Sequence, residues 1–129
     1  MISASDAAEK ASYALLTDGG DIGAPVFQHV PEDTAPPVII IGDIEAIPIG
    51  GKGDPDRRLT LTIVTVTAAE ERKPLLDLMN AIETRLDNAR TTESGWELSF
   101  TFLGSSAALT PEGDGYVGEN RFDILALVA

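Results

Sequence analysis

Arg58-Leu59-Thr60-Leu61-Thr62-Ile63-Val64-Thr65-Val66-Thr67 decides the fold. Leu59, Leu61 and Ile63 alternate with Thr60 and Thr62, and a period of two marks a strand with one covered face. At Val64 and Val66 the apolar phase slips by one residue. The slip predicts a bulge, or a strand end covered on both faces. Downstream the period changes. Leu75, Leu78, Met79, Ile82 and Leu86 form one apolar stripe at helical spacing, with Asp77, Glu83 and Arg85 off it. A helix is expected from Glu70 to about Asn88. Thr67 with Glu70 fits a capping box, and Glu70 and Glu71 suit the positive end of the helix dipole. Pro74 must lie in the first turn, which draws the start towards Arg72.

Upstream, Val38-Ile39-Ile40-Ile41 is a continuous β-branched run that suits a strand buried on both faces. Ile44 to Ile49 can extend it, although Pro48 pushes that extension towards an edge or an arm. Gly50-Gly51-Lys52-Gly53-Asp54-Pro55 has the composition of a mobile loop. Pro25 to Val30 is a shorter strand candidate, with Val26, Gln28 and Val30 on one side. The prolines of the 31–37 stretch break it from the next strand. A first helix is expected from about Ser5 to Thr17, with Ser3 or Ser5 as N-cap. Ala7, Ala8, Ala11, Ala14 and Leu15 would form its narrow face, and Gly19-Gly20 its end.

Beyond the main helix, Gly95 to Leu103 reads as a strand with Trp96, Leu98, Phe100 and Phe102 on one face. Pro111-Glu112-Gly113-Asp114-Gly115 carries the aspartate–glycine pair of a hairpin turn. From Tyr116 to Val128, Phe122, Ile124, Ala126 and Val128 alternate with Arg121, Asp123, Leu125 and Leu127. The order is α-β-β-β-α-β-β. The expected class is α+β: one mixed, mainly antiparallel sheet of about five strands, with two helices packed on one face. At 129 residues the chain fits one domain.

Composition narrows the function. Twenty-one acidic and 9 basic residues give a net charge of −12, the opposite of a nucleic-acid-binding footprint. Anionic membranes are disfavoured on the same ground, and no stretch approaches the roughly 18 apolar residues of a membrane span. The opening residues lack the basic patch and apolar run of a secretory signal, so none is expected. The chain has no cysteine, so disulfides, thiolate metal sites and thiol catalysis are excluded.

The chemistry-bearing residues are sparse. His29 is the single histidine and has no cysteine partner, while Ser105-Ser106 sit in no nucleophile-elbow pattern. Gly50-Gly51-Lys52-Gly53 lacks the ending and the following helix of a phosphate loop. Asp54 with Asp56, and Glu112 with Asp114, complete no calcium loop and read as turn-forming acids. No catalytic, cofactor or metal residue is assigned. Arg57 and Arg58 stand adjacent in an acidic chain, and at most one of them points inward. They read equally as edge protection and as a pair for an acidic surface on a neighbouring copy.

Four stretches taken together resemble the tail-completion, or tail-terminator, family of long-tailed phages, prophages and gene transfer agents. They are Val26 to Asp33 followed by Pro37 to Asp43; the loop with Gly51 and Gly53 leading into Arg58–Ile63; the helix with Leu75, Met79, Ile82 and Leu86; and Pro111 to Gly118 with Arg121-Phe122 beyond. The chain departs from many relatives at Val38 and Val66, where they carry tyrosine and tryptophan. Glu70-Glu71 also replaces a more glycine- and arginine-rich helix entry.

The resemblance implies a structural virion protein at the head-proximal end of a tail, made in the bacterial cytoplasm and needing no cofactor or catalysis. It implies a homo-hexameric ring that caps the tail tube and joins it to the head connector or stopper, with DNA passing through its lumen unbound. It also implies that an arm at about 43–58 contacts the neighbouring subunit or the tube. The candidate contacts there are Asp43, Glu45, Ile47, Ile49, Lys52, Asp54, Asp56, Arg57 and Arg58. The alternatives are another neck or head-completion component, or a small cellular α+β domain that binds a ligand or acts as an enzyme.

Overall fold

A computed structural model, which describes residues 2–68 and 71–129, places the elements in chain order. They are α1 (Ala4–Thr17), β1 (Val26–Phe27), β2 (Val38–Pro48), β3 (Arg57–Thr67), α2 (Lys73–Leu86), β4 (Arg90–Glu93), β5 (Trp96–Leu109) and β6 (Tyr116–Val128). The strands form one six-stranded sheet in the order β1-β2-β3-β6-β5-β4. β1 runs parallel to β2, and the other neighbours are antiparallel. The α+β class and mixed sheet are as expected, with one strand more.

The added strand is β4. Arg90-Thr91-Thr92-Glu93 has no apolar alternation, so periodicity passes over it. Its pairing is set by Ser94-Gly95, both at positive φ (52° and 86°), which fold Glu93 back onto Trp96. Such a two-residue turn matches the right-handed twist of the flanking strands.

β3 is central and its ladder to β6 is unbroken, from Arg57 opposite Ala126 to Thr67 opposite Tyr116. The phase slip at Val64 is therefore not a bulge. Leu59, Leu61, Ile63, Thr65 and Thr67 are all buried on one face, and Val64 and Val66 are half-buried on the other. Two threonines simply hold core-facing positions. The bulges lie in the outer strands instead. Gly42-Asp43 of β2 oppose Thr62, and Leu103 of β5 is inserted between the partners of Phe122 and Arg121. β2 runs on to Pro48, which is tolerated because the outer side of that end has no ladder partner. The Pro25–Val30 candidate shrinks to Val26–Phe27, with Gln28 and His29 exposed outside the ladder.

Both helices pack on one face of the sheet, over Leu59, Leu61, Ile63, Leu98, Phe100, Phe122, Ile124 and Ala126. Ser3 caps α1, its side chain accepting from the Asp6 amide at 3.0 Å. The buried face of α1 is Ala4, Ala7, Ala8, Ala11, Ser12 and Leu16, so Leu16 replaces the expected Ala14 and Leu15, which are half-buried. Small side chains on this face let the helix lie close to the strands.

The whole expected stripe of α2 is buried. Arg72 is its N-cap and makes no side-chain cap bond. Thr67 ends β3 and cannot cap α2. Glu70, the other half of the expected box, lies outside the described residues. α2 approaches β6 at Gly118, where a β-carbon would collide with Met79 Sδ and sit 3.1 Å from Leu75 Cδ1. The two helices are tied by Arg85, whose guanidinium donates to the carbonyls of Leu16 (2.6 Å) and Gly20 (2.9 Å) at the end of α1.

Candidate assembly surface

The β2–β3 hairpin places all nine arm residues, and it divides them. Asp43 sits in the β2 bulge, and Glu45 and Ile47 lie opposite Thr60 and Arg58. These positions alternate with Ile44 and Ala46, so Glu45 and Ile47 project on the face without helices. Ile49 and Lys52 belong to the eight residues joining the strands. Asp43, Glu45, Ile47, Ile49 and Lys52 are all exposed, Ile47 at 57%.

The other four are occupied within the chain. Asp54 Oδ1 accepts from the Asp56 amide at 2.9 Å, and Asp56 Oδ1 accepts from the Val128 amide at 2.9 Å. Arg57 Nη1 donates to the carbonyls of Asp54 and Asp56, both at 2.9 Å. Arg58 Nε lies 3.3 Å from Asp123 Oδ1 on β6. The loop is thus a hydrogen-bonded turn, closed also by the Asp54 amide donating to Gly51 O. β3 is flanked on both sides, so neither arginine guards an edge.

The second edge of the sheet went unnoticed in the sequence. β5 runs on to Leu109, six residues past the expected end. Leu103 and Leu109 are 57% and 55% exposed, and Ser105, Ser106 and Ala108 between them are exposed too. The signal was present: Leu103-Gly104-Ser105-Ser106-Ala107-Ala108-Leu109 has no charge and no proline. Its small residues carry little strand propensity, which hid it.

Little in the molecule points to chemistry. His29 is exposed, and the hydroxyls of Ser105 and Ser106 lie on β5 rather than at a strand-to-helix turn. Asp114 accepts from Thr110 Oγ1 at 2.7 Å and stabilises the β5–β6 turn. Among the described residues no group of three or more acidic or histidine side chains could hold a metal ion. Among them also, no helix is long and apolar enough to cross a membrane. A cleft of about 560 Å³ between α2 and the β1–β2 connection is lined mainly by Ile22, Pro36, Pro37, Pro74 and Leu78. Its one acid, Asp77, is already paired with Lys73 at 3.0 Å. Convergent polar groups of the kind that fix a ligand are missing from its described lining.

The sheet is open at both ends of its strand order, and both edges carry exposed apolar side chains. The model of the family described as tail completion protein gp17 matches residues 7–126, and the chain belongs to that family. It is therefore a structural, non-enzymatic protein of the phage tail class. The search of curated proteins gave no significant match.

Among solved structures, the fold resembles a chain in one described as the virion of a native gene transfer agent (GTA) particle. The TM-score is 0.84 at 17% identity, covering 94% of this chain and 95% of that one. That is a likeness of fold. Val38 and Val66 are cross-strand partners.

Proposed function

We propose that this chain is the ring-forming tail terminator subunit of a phage or phage-like particle. Copies of it, six in the ring that the resemblance implies, cap the finished tail tube, join it to the head connector or stopper, and leave a passage for DNA. The observation that carries this reading is the tail-completion family match over nearly the whole chain. The protein then sits at the head-proximal end of the tail after assembly in the bacterial cytoplasm, acts as one domain, and needs no cofactor.

Two physical features support it. A sheet with two unlike open edges suits head-to-tail contacts, which generate rings when their rotation closes. The net charge of −12 disfavours gripping DNA. On the sheet face without helices, Glu45, Glu97, Glu119 and Asp123 outnumber Arg58, Arg90 and Arg121 by one. Turned towards the passage, that face repels phosphates within roughly the 8 Å Debye length of physiological salt. The exposed arm residues Asp43, Glu45, Ile47, Ile49 and Lys52 are the proposed contacts to the next subunit or the tube. Asp54, Asp56, Arg57 and Arg58 hold the arm in shape.

The test is genetic and visual. Inactivating the gene in the producing bacterium should leave filled heads and uncapped tails unjoined in electron micrographs, and the intact gene should restore joining. A chain lacking Gly50–Gly53 loses no ladder pair, so it should fold yet fail to restore joining. Joined particles in the absence of the protein would sink the terminator reading. Joining by the shortened chain would remove Lys52 and the loop tip from the proposed contacts and leave those on β2 standing.

A further inference from the structure

The sheet leaves two stretches of edge unpaired, and they complement each other. On one edge, β1 covers β2 only at Ile39 and Ile40; among the described residues, Ile44–Pro48 face no strand on their outer side. On the other edge, β4 covers Trp96–Ser99. Cover continues to Phe102: the Asn88 amide donates to Phe100 O (3.0 Å), and the Phe100 amide to Ala89 O (2.9 Å). The Phe102 amide donates to Asp87 Oδ1 (2.9 Å). Gly104–Leu109 then face no strand among the described residues. Followed across the sheet, Ile44–Pro48 lie level with Phe122–Ala126 of β6, and Gly104–Leu109 level with Tyr116–Arg121. Each open segment lies level with a covered one on the far edge, so the two open segments are diagonal to each other.

A second observation falls on the same stretches. Among the described residues, the three most exposed large apolar side chains are Ile47 (57%), Leu103 (57%) and Leu109 (55%), on or directly beside the two open segments. Leu103–Leu109 carries none of the charges or prolines that normally blunt an edge, and such an edge is a template for another strand.

We infer that Gly104–Leu109 of one copy adds, antiparallel, to Ile44–Pro48 of the next. The inference rests on the ring reading above and supplies its subunit contact. Within one chain β2 and β5 run in opposite directions. Rotation about a common axis preserves each strand's sense along that axis, so β5 of one copy meets β2 of the next antiparallel. Donor and acceptor differ, so the contact is heterologous and leaves a free edge at each end until a ring closes.

The diagonal offset provides the stagger that a sheet needs to close on itself. The faces agree as well. Ile44 and Ala46 continue the helix-covered face together with Ser105, Ala107 and Leu109, while Glu45 and Ile47 continue the bare face with Ser106 and Ala108. Small side chains on the donor strand let the backbones approach. Two β5 edges pairing with each other would stop at a dimer and leave Ile44–Pro48 bare.

The chain has no cysteine, which gives a clean test. The full chain carrying both Ile47→Cys and Ser106→Cys, which oppose one another when Ser105–Leu109 pair with Ile44–Pro48, is oxidised over a range of concentrations and run on a non-reducing gel. The mass of the unmodified chain is followed in parallel by analytical ultracentrifugation. A covalent ladder through trimer and higher is expected from the double variant, with at most dimers from either single variant. Oligomers by mass without a ladder overturn the pairing and leave the ring reading standing. Monomers at every concentration with no ladder overturn both. An unmodified chain that stops at dimer, with Ser106→Cys alone forming the dimer bond, replaces the pairing with the two-fold one. As a control, Ser105→Lys, at an exposed position on the face shared with Ile44 and Ala46, should leave the thermal midpoint unchanged and weaken association by at least about tenfold, since a charge among apolar edge residues opposes strand addition. Unaltered association of that variant counts against the pairing.

Discussion

Thr62 of β3 and Arg121 of β6 are cross-strand partners, and the bulges of both outer strands fall beside this one pair. Gly42-Asp43 of β2 oppose Thr62, and Leu103 of β5 is the residue inserted before the partner of Arg121. A single line across the sheet therefore separates the half covered by β1 from the half covered by β4. Bulges bend a strand and increase its local twist, so both strands turn at the same line. Deleting Leu103 keeps Gly104–Leu109 opposite the same residues of β6 and removes the bend. Urea unfolding of this deletion should stay within about 1 kcal/mol of the parent, as for other changes at exposed positions, while self-association falls. A much larger loss of stability would show that the bulge is needed for folding and not only for assembly.

Thr65 offers a prediction of opposite sign. Its side chain is fully buried and Oγ1 has no partner among the described residues. An unpaired buried hydroxyl costs roughly 1–3 kcal/mol. Thr65→Val keeps the shape and removes that cost, so chemical denaturation should show a gain of about 1 kcal/mol. A loss of stability on this substitution would mean that the hydroxyl is satisfied in solution.

Gly118 sets how closely α2 lies on β6. A methyl group there meets Met79 Sδ and Leu75 Cδ1. Gly118→Ala should cost about 1–3 kcal/mol by overpacking, and Met79→Ala added to it should recover part of the cost if the collision is the cause. Additive losses in the double variant would point to backbone strain instead.

Arg85 closes the carboxyl end of α1 from α2. The last carbonyls of a helix lack partners of their own, and two of the groups it reaches, Leu16 O and Gly20 O, lie within 2.9 Å. Arg85→Met retains the aliphatic stem and should lower stability by about 1–2 kcal/mol, with faster hydrogen exchange at the end of α1. Unchanged exchange there would assign the effect to packing elsewhere.

Local signals carried much of this molecule. The alternation of Leu59, Leu61 and Ile63, and the stripe from Leu75 to Leu86, are imposed by the pleat and the helical turn, so the α+β class and most elements were legible. The acidic balance argued against nucleic-acid grip, and the lack of cysteine excluded thiol chemistry, without reference to shape. The ordered stretches around Val26, Pro37, Arg58 and Pro111 were enough for the family. What sequence alone left unresolved depends on partners distant in the chain. The phase slip at Val64 left a bulge and a doubly covered strand end both open because Thr65 and Thr67 are polar, and the ladder to β6 holds those two inward without a bulge. Arg57 and Arg58 looked available for a neighbour, until Asp54, Asp56 and Asp123 were seen to occupy them. Which halves of β2 and β5 stay unpaired is a property of neither strand. It follows from how far β1 and β4 reach along the opposite edges, and only the folded sheet sets that reach.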